Sequence, residues 1–207
     1  MPDNDAPTVV KLGGSHAFSG HLKDWIGALG NCGGRAVIVP GGGPFADAVR
    51  AAQPKIGFDD KAAHHMALLA MEQYGCALSS LDRRLAPAQS LAAIRHALRA
   101  GRVPVWLPTR MTLAAEDIPA SWDVTSDSLA VWLASRIGAR RVILVKQIDL
   151  VTAAIAASDL VVRAVVDKAF PEFLARSGAT ASVAGPGDSA AVAAAIASGA
   201  PAGTPIE

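Results

Sequence analysis

Twice in the first 45 residues a short apolar run ends in a glycine turn and is followed by a helical pattern. Thr8 to Leu12 (TVVKL) runs into Gly13-Gly14, and Ala36 to Val39 (AVIV) runs into Pro40-Gly41-Gly42-Gly43-Pro44. Between them, Leu22, Trp25, Ile26 and Leu29 recur at helical spacing. After the second turn, Phe45 to Ala52 reads as a helix. A repeated unit of strand, glycine turn and helix is the pattern of a parallel sheet with right-handed crossovers. It predicts an α/β fold, a three-layer αβα sandwich around a mainly parallel open sheet. Both glycine turns then fall at one carboxyl edge of the sheet, where open α/β folds bind ligands.

The rest of the chain continues this alternation as one domain over residues 1–207. Asp60 to Tyr74 reads as a helix, Cys76 to Leu81 as a strand, and Leu91 to Ala100 as a helix stopped by Gly101. Val103 to Leu107 is a strand, Thr109 to Trp122 is irregular, and Thr125 or Ser126 caps a helix running to Ile137. Val142 to Val145 is a buried strand. An apolar segment Leu160 to Val166, a helix over Ala169 to Arg176, a strand over Thr180 to Ala184 and a helix over Ser189 to Ser198 complete the pattern. Gly199 to Glu207 is expected to be a flexible tail.

Composition narrows the function. The 207 residues are 51% hydrophobic and 18% charged, enough to bury a core. Nineteen Lys and Arg against 18 Asp and Glu give a net charge of +1. Nucleic-acid binders draw affinity from a basic excess, so no nucleic-acid partner is expected. Cys32 and Cys76 exclude a disulfide framework and a CxxC metal site. His64 and His65 are adjacent, point about 100° apart on a helix, and lack acids at ligand spacing, so no metal site is expected. Met1 to Pro7 is polar and acidic, unlike a signal peptide, and no apolar run reaches the ~20 residues of a membrane span. A soluble cytoplasmic protein is expected.

Lys11 carries the first chemical signal. It interrupts an apolar strand two residues before a glycine pair, and a buried ammonium needs a partner. Beside backbone N–H groups and a following helix N-terminus, that partner is phosphate; the plain alternative is a solvated lysine on an edge strand. Neither turn is a GxxxxGK[ST] loop or a GxGxxG fingerprint.

Lys11-Leu12-Gly13-Gly14-Ser15, Pro40-Gly41-Gly42-Gly43 and Thr125-Ser126-Asp127 resemble, in order, the three phosphate-handling motifs of the amino acid kinase superfamily. The resemblance implies transfer of the γ-phosphoryl of ATP to a carboxylate, carbamate or phosphate, with Mg²⁺ carried by ATP. It implies that about 1–140 binds the acceptor and about 141–198 is a reduced nucleotide-binding part. It also implies homodimers or higher homo-oligomers. Lys11 and Asp127 become catalytic candidates, Asp127 holding Lys11, while Gly13, Gly14, Gly41, Gly42 and Gly43 donate backbone N–H groups to phosphate. Ser15 either donates its hydroxyl there or caps the next helix.

Less generic residues resemble the superfamily's methanofuran-biosynthesis kinases, which phosphorylate [5-(aminomethyl)furan-3-yl]methyl phosphate to its diphosphate. They are Gly43-Pro44-Phe45-Ala46-Asp47-x-x-Arg50, His65-Met66-Ala67 and Trp122-Asp123-Val124-Thr125-Ser126-Asp127-Ser128. Isopentenyl phosphate and fosfomycin kinases carry a histidine where this chain has Asp47. A carboxylate suits an ammonium substrate, or else is simply a first-turn helix acid. Arg50, His65, Asp123, Thr125 and Ser126 are the other substrate-binding candidates, with Trp122 beside them. A solvated helix arginine is the more common fate for a residue such as Arg50, and His65 is equally compatible with a half-buried helix position.

The nucleotide half departs from the superfamily pattern. Lys146 and Asp149 stand where relatives keep a Ser/Thr-Asp pair near the nucleotide. Asp167-Lys168 stands where many carry a second catalytic lysine, which makes Lys168 the candidate and Asp167 a nucleotide neighbour. Gly185-Pro186-Gly187 is a turn at the sheet edge, with Gly185 and Gly187 near the nucleotide or serving only the turn. The alternatives are another small-molecule kinase of the superfamily, or a non-catalytic member that binds nucleotide or oxyanions.

Overall fold

A computed structural model describes residues 6–150 and 152–207. Residues 1–5 of the polar N-terminal run, and Val151, lie outside the described residues. The strands are β1 (Thr8–Leu12), β2 (Ala36–Pro40), β3 (Leu85–Ala88), β4 (Val103–Trp106), β5 (Arg141–Val145), β6 (Thr180–Ala184) and β7 (Thr204–Ile206). They form one sheet in the order β3-β4-β2-β1-β5-β6-β7. Every described pairing is parallel except β6 with β7. The helices are α1 (Leu22–Gly30), α2 (Gly43–Ile56), α3 (Asp60–Leu81), α4 (Leu91–Arg99), α5 (Thr109–Leu113), α6 (Ser126–Ile137), α7 (Ala157–Val162), α8 (Phe170–Ser177) and α9 (Ser189–Ser198). No described helix is long and apolar enough to cross a membrane.

The central strands are buried on both faces, which is why they read as unbroken apolar runs. Their side chains alternate between two cores. Val9, Val37, Val39, Val142 and Leu144 pack with Leu129, Leu133 and Phe170 of α6 and α8. Val10, Leu12, Ile38, Ile143 and Val145 pack with Trp25 and Leu29 of α1 and Val192 and Ile196 of α9. Strand parity puts Lys11 on the side of Val9, facing the layer that contains α6.

Two expectations are corrected. Cys76 to Leu81 is the last part of α3, not a strand. Leu68, Met71, Tyr74 and Leu78 keep a helical stripe buried to its end. Gly75 lies where a Cβ would come within 2.8 Å of the Leu107 side chain, so the helix passes close over the sheet. The strand follows at Leu85–Ala88. The tail is not free either: Thr204–Ile206 pairs antiparallel with β6, and Ile206 joins the core. Pro205 has no N–H to donate, which an edge strand tolerates. Glu207 N donates to Ile155 O, and Ala157 N donates to Glu207 O.

Ile206 therefore closes the sheet edge. Ile206→Ala should destabilise the protein by about 2–4 kcal/mol in urea unfolding, the usual cost of emptying such a core site. A loss below ~0.5 kcal/mol would return this segment to a dispensable tail.

Candidate active site

The chain builds β1 through β4 on one side of the sheet, then crosses through α6 to β5 on the other side of β1. This switch point opens a crevice at the carboxyl ends of β1 and β5. Three charged side chains meet there. Lys11 Nζ lies 2.9 Å from Asp127 Oδ1. Lys146, the first residue beyond β5, donates to Asp127 Oδ1 and Oδ2 at 2.9 and 2.8 Å. Its Nζ also donates to Val165 O. Asp127 sits in the first turn of α6, where the helix dipole favours a carboxylate.

Two buried ammonium groups thus share one carboxylate. Burial works against ionising Asp127, but Lys11 and Lys146 overcome it and hold the acid down at about 2. Lys146 is lowered to about 8, by burial first and by Lys11, with Asp127 opposing. The cluster therefore carries one uncompensated positive charge in a crevice. Such a charge can receive an anion or offset developing negative charge.

Backbone donors lie beside it. The two glycine turns touch backbone to backbone: a Cβ on Gly14 would overlap the Gly43 amide, and one on Gly41 would overlap Gly14 N. Gly41 N is anchored to Leu12 O at 2.9 Å, and Gly43 has φ +55° at the start of α2. Only glycine permits this approach. Gly13 precedes a short 3₁₀ turn, Gly14–His16, which contains Ser15; the N-cap residue of the next helix, α1, is His21, so Ser15 does not cap it.

A cavity of about 270 Å³ opens next to the turns. Gly14, Ser15, Gly42 and Gly43 form one wall, and Asp47, Arg50, His64, Trp122, Thr125 and Ser126 others. Arg50 pairs with Asp47 at 3.2 Å, and its guanidinium lies 4.4 Å from the centre of the Trp122 ring. Gln53 Oε1 accepts from Trp122 Nε1 at 2.6 Å, which fixes the indole plane. One wall thus offers an acid, a guanidinium and a flat aromatic ring.

Several candidates fall elsewhere. His65 is exposed, and its neighbour His64 is the buried one lining the cavity. Burial, and then His65, keep His64 below its usual range, so it is a neutral imidazole there. Lys168 is at the surface, 77% exposed, paired with Asp123 at 3.0 Å. The lysine beside Asp127 is Lys146, which sequence reasoning had placed with the nucleotide. Asp167 accepts from Thr125 N and Oγ1 at 3.0 and 2.8 Å, and from Ser128 N at 3.1 Å and Ser128 Oγ. Its carboxylate is engaged with α6 rather than open to a ligand. Thr125 is the N-cap residue of α6, but its hydroxyl donates to Asp167 and does not cap. Asp149 is exposed and lies against Gly185, where a Cβ would meet its carboxylate. Gly185 N donates to Asp188 Oδ2 at 2.7 Å, and Pro186 O accepts from Trp25 Nε1 at 2.8 Å. This turn, with Gly187 inside it, is tied to α1 and α9. Lys146 had one legible signal: like Lys11, it sits at the end of an apolar strand.

A lysine pair on an acid, beside touching glycine turns at a switch point, defines a phosphate-handling α/β protein. The profile of the amino acid kinase family matches residues 6–159, and the chain belongs to that family. It is 26% identical over 145 residues to the [5-(aminomethyl)furan-3-yl]methyl phosphate kinase of Methanocaldococcus jannaschii, an alignment covering 68% of this chain and 66% of that protein. Its fold is similar to that of the uridylate kinase of Archaeoglobus fulgidus, with TM-score 0.72, 18% identity, and 97% of this chain and 100% of that one covered. The UMP kinase of Ureaplasma parvum is similarly close, with TM-score 0.72, 15% identity, and 98% and 99% covered.

The charge arrangement predicts opposite effects on stability. Lys146→Met removes the uncompensated charge and should leave Tm equal or higher. Asp127→Ala strands two buried ammoniums and should cost roughly 3–5 kcal/mol. Because Asp127 is depressed to about 2, its contribution holds at neutral pH and is lost as pH falls toward 2. Thermal and urea melts of the two variants check this; a less stable Lys146→Met with an unaffected Asp127→Ala would reverse the assignment.

Proposed function

We propose that this protein is an ATP-dependent kinase that phosphorylates a small phosphomonoester to a diphosphate. The acceptor that fits best is [5-(aminomethyl)furan-3-yl]methyl phosphate, a precursor of methanofuran. The observation that carries the kinase reading is the Lys11–Asp127–Lys146 cluster beside the two glycine turns. The acceptor reading rests on the adjoining wall of Asp47, Arg50 and Trp122 and on the M. jannaschii relative.

An oxygen of the acceptor phosphate attacks the γ-phosphorus in line, and the bond from that phosphorus to the β–γ bridging oxygen breaks, releasing ADP. Such transfers rest on positioning and charge stabilisation, with little covalent work for the protein. Lys11 and Lys146 take up charge on the phosphoryl oxygens, and the Gly14 and Gly41–Gly43 amides add backbone donors. Asp127 keeps the ammoniums apart and aimed. Lys146 stands here in the place proposed from the sequence for Lys168. Magnesium arrives on ATP, bound by its phosphate oxygens. In the acceptor cavity Arg50 meets the acceptor phosphate, Trp122 offers a face to the furan ring, and Asp47 pairs with the aminomethyl ammonium. Thr125 and Ser126 at the start of α6 line the path between acceptor and cluster.

Purified protein with this acceptor, ATP and magnesium should yield ADP and the diphosphate. No turnover here, with turnover on another phosphate or a carboxylate, would replace the acceptor and keep the kinase. Lys11→Ala should lower kcat by more than ~10²-fold, as for loss of a principal electrostatic donor. Asp47→Asn should raise KM for the aminomethyl acceptor about two- to fivefold, the range for an exposed ion pair. It should leave a hydroxymethyl analogue unaffected; equal effects on both would remove Asp47 from ammonium recognition.

Lys146 also sets a pH limit. Its amine must be protonated to act, so kcat/KM should fall above about pH 8. A group depressed in the folded state loses its burial penalty as it deprotonates, so this fall should not bring unfolding. Far-UV circular dichroism alongside the rate profile separates the two; unfolding in step with the rate would contradict the assignment.

A further inference from the structure

Asp127 owes its position to a residue that touches neither phosphate turn. Asp167 lies about forty residues further along the chain, yet its carboxylate accepts from Thr125 N, Thr125 Oγ1, Ser128 N and Ser128 Oγ. Those groups flank Asp127 on both sides. A helix normally takes this cap from its own N-cap side chain, which here does not provide it. The same short segment reaches the second lysine, because Val165 O accepts from Lys146 Nζ. Ala169 N donates to Asp123 O at 3.0 Å, tying the far end of the segment to the approach to α6.

The backbone of this segment is held in a costly form. Ala164 has φ +53° without being glycine. An L-residue in that region persists only when its surroundings fix it. Ala164 N to Val161 O at 2.9 Å and Val165 N to Leu160 O at 2.8 Å do so from one side, and the Asp167 contacts from the other. The turn at Ala164 brings the Val165 carbonyl to Lys146 and the Asp167 carboxylate to the start of α6.

We propose that Asp167 is a positioning residue for phosphoryl transfer: by capping α6 from the 163–169 segment, it holds Asp127 where it can serve both Lys11 and Lys146. The proposal rests on the kinase reading above for its catalytic consequence, but not for its geometry. The charged and titratable groups around Lys146 are Lys11 on β1, Asp127 on α6 and His16 in the turn after β1. Asp167 is not among the groups acting on Lys146; burial, and then the Asp127 charge, push its own carboxyl above the usual range, while the Ser128 and Thr125 donors oppose this.

Asp167→Ala, Asp167→Asn and Ser128→Ala test it in the full-length protein. Asp167→Ala should lower kcat on the order of 10²-fold, as for a small misplacement of catalytic groups, with KM for ATP and acceptor within about threefold. Asp167→Asn keeps an acceptor oxygen and should fall between it and wild type. Ser128→Ala removes one of the four bonds and should move kcat the same way by less. The alkaline limb of kcat should shift down by roughly one pH unit in Asp167→Ala, because a displaced Asp127 no longer supports the Lys146 ammonium. A lowered Tm with kcat and the alkaline limb unchanged would make Asp167 an ordinary cap and overturn the proposal. If Asp167→Ala does not fold, Asp167→Asn and Ser128→Ala give the same comparison.

A second readout needs no turnover. In ¹³C-lysine-labelled protein, the Lys146 signal, identified by its loss in Lys146→Arg, should titrate at lower pH in Asp167→Asn than in wild type. That shift in a protein that turns over no acceptor would sustain the positioning and remove the kinase reading. Turnover by wild type with no shift would remove the positioning and leave the kinase.

Discussion

Everything at the carboxyl edge of this sheet depends on one carboxylate serving two ammonium groups. Lys11 enters from β1, Lys146 from the end of β5, and Asp127 from the first turn of the helix that carries the chain between the two halves of the sheet. Each ammonium alone would be a costly buried charge. Sharing Asp127 makes burial tolerable while leaving a net positive charge facing the crevice. The arrangement is therefore less a stabilising ion pair than a charge held ready for an anion. The fold supplies the rest: parallel strands bring both lysines to the same edge, and glycine lets the two turns meet without side chains between them.

The layers follow from local rules. Alternation along β1 sends Val10 and Leu12 to one core and Val9 to the other, so Lys11 must face the α6 layer. That choice of face is what brings the Lys11 ammonium to Asp127. His16 shows the cost of the site. It is fully buried after the first turn and lowered to about 4, by burial first and then by Lys11. Native proteins place such violations near functional sites, where local optimisation gives way.

The glycine turns and the parallel sheet were legible in the sequence, because each rests on a local pattern, an apolar run followed by a glycine cluster, whereas the Lys11–Asp127 pairing was implied only by the resemblance of the three motifs to the amino acid kinase superfamily. What was not legible needed strand order. Nothing within residues 141–150 says that β5 lies against β1, so Lys146 looked like a departure near the nucleotide and Lys168 like the second lysine. The resemblance set Asp167 near the nucleotide, and its actual partners, Thr125 and Ser128, lie about forty residues away in the chain. His64 and His65 could not be told apart without knowing which face of α3 looks into the cavity. β7 was missed because three residues containing a proline carry almost no strand signal, and only Ile206 reveals the buried position.

A structure with a non-hydrolysable ATP analogue and magnesium tests the shared-carboxylate site most directly. A γ-phosphate oxygen should lie within ~3 Å of both the Lys11 and Lys146 ammonium nitrogens, with Asp127 still between them and the Gly14 and Gly42 amides turned toward phosphate. A γ-phosphate bound away from Lys146, with Lys168 reaching it instead, would contradict the account.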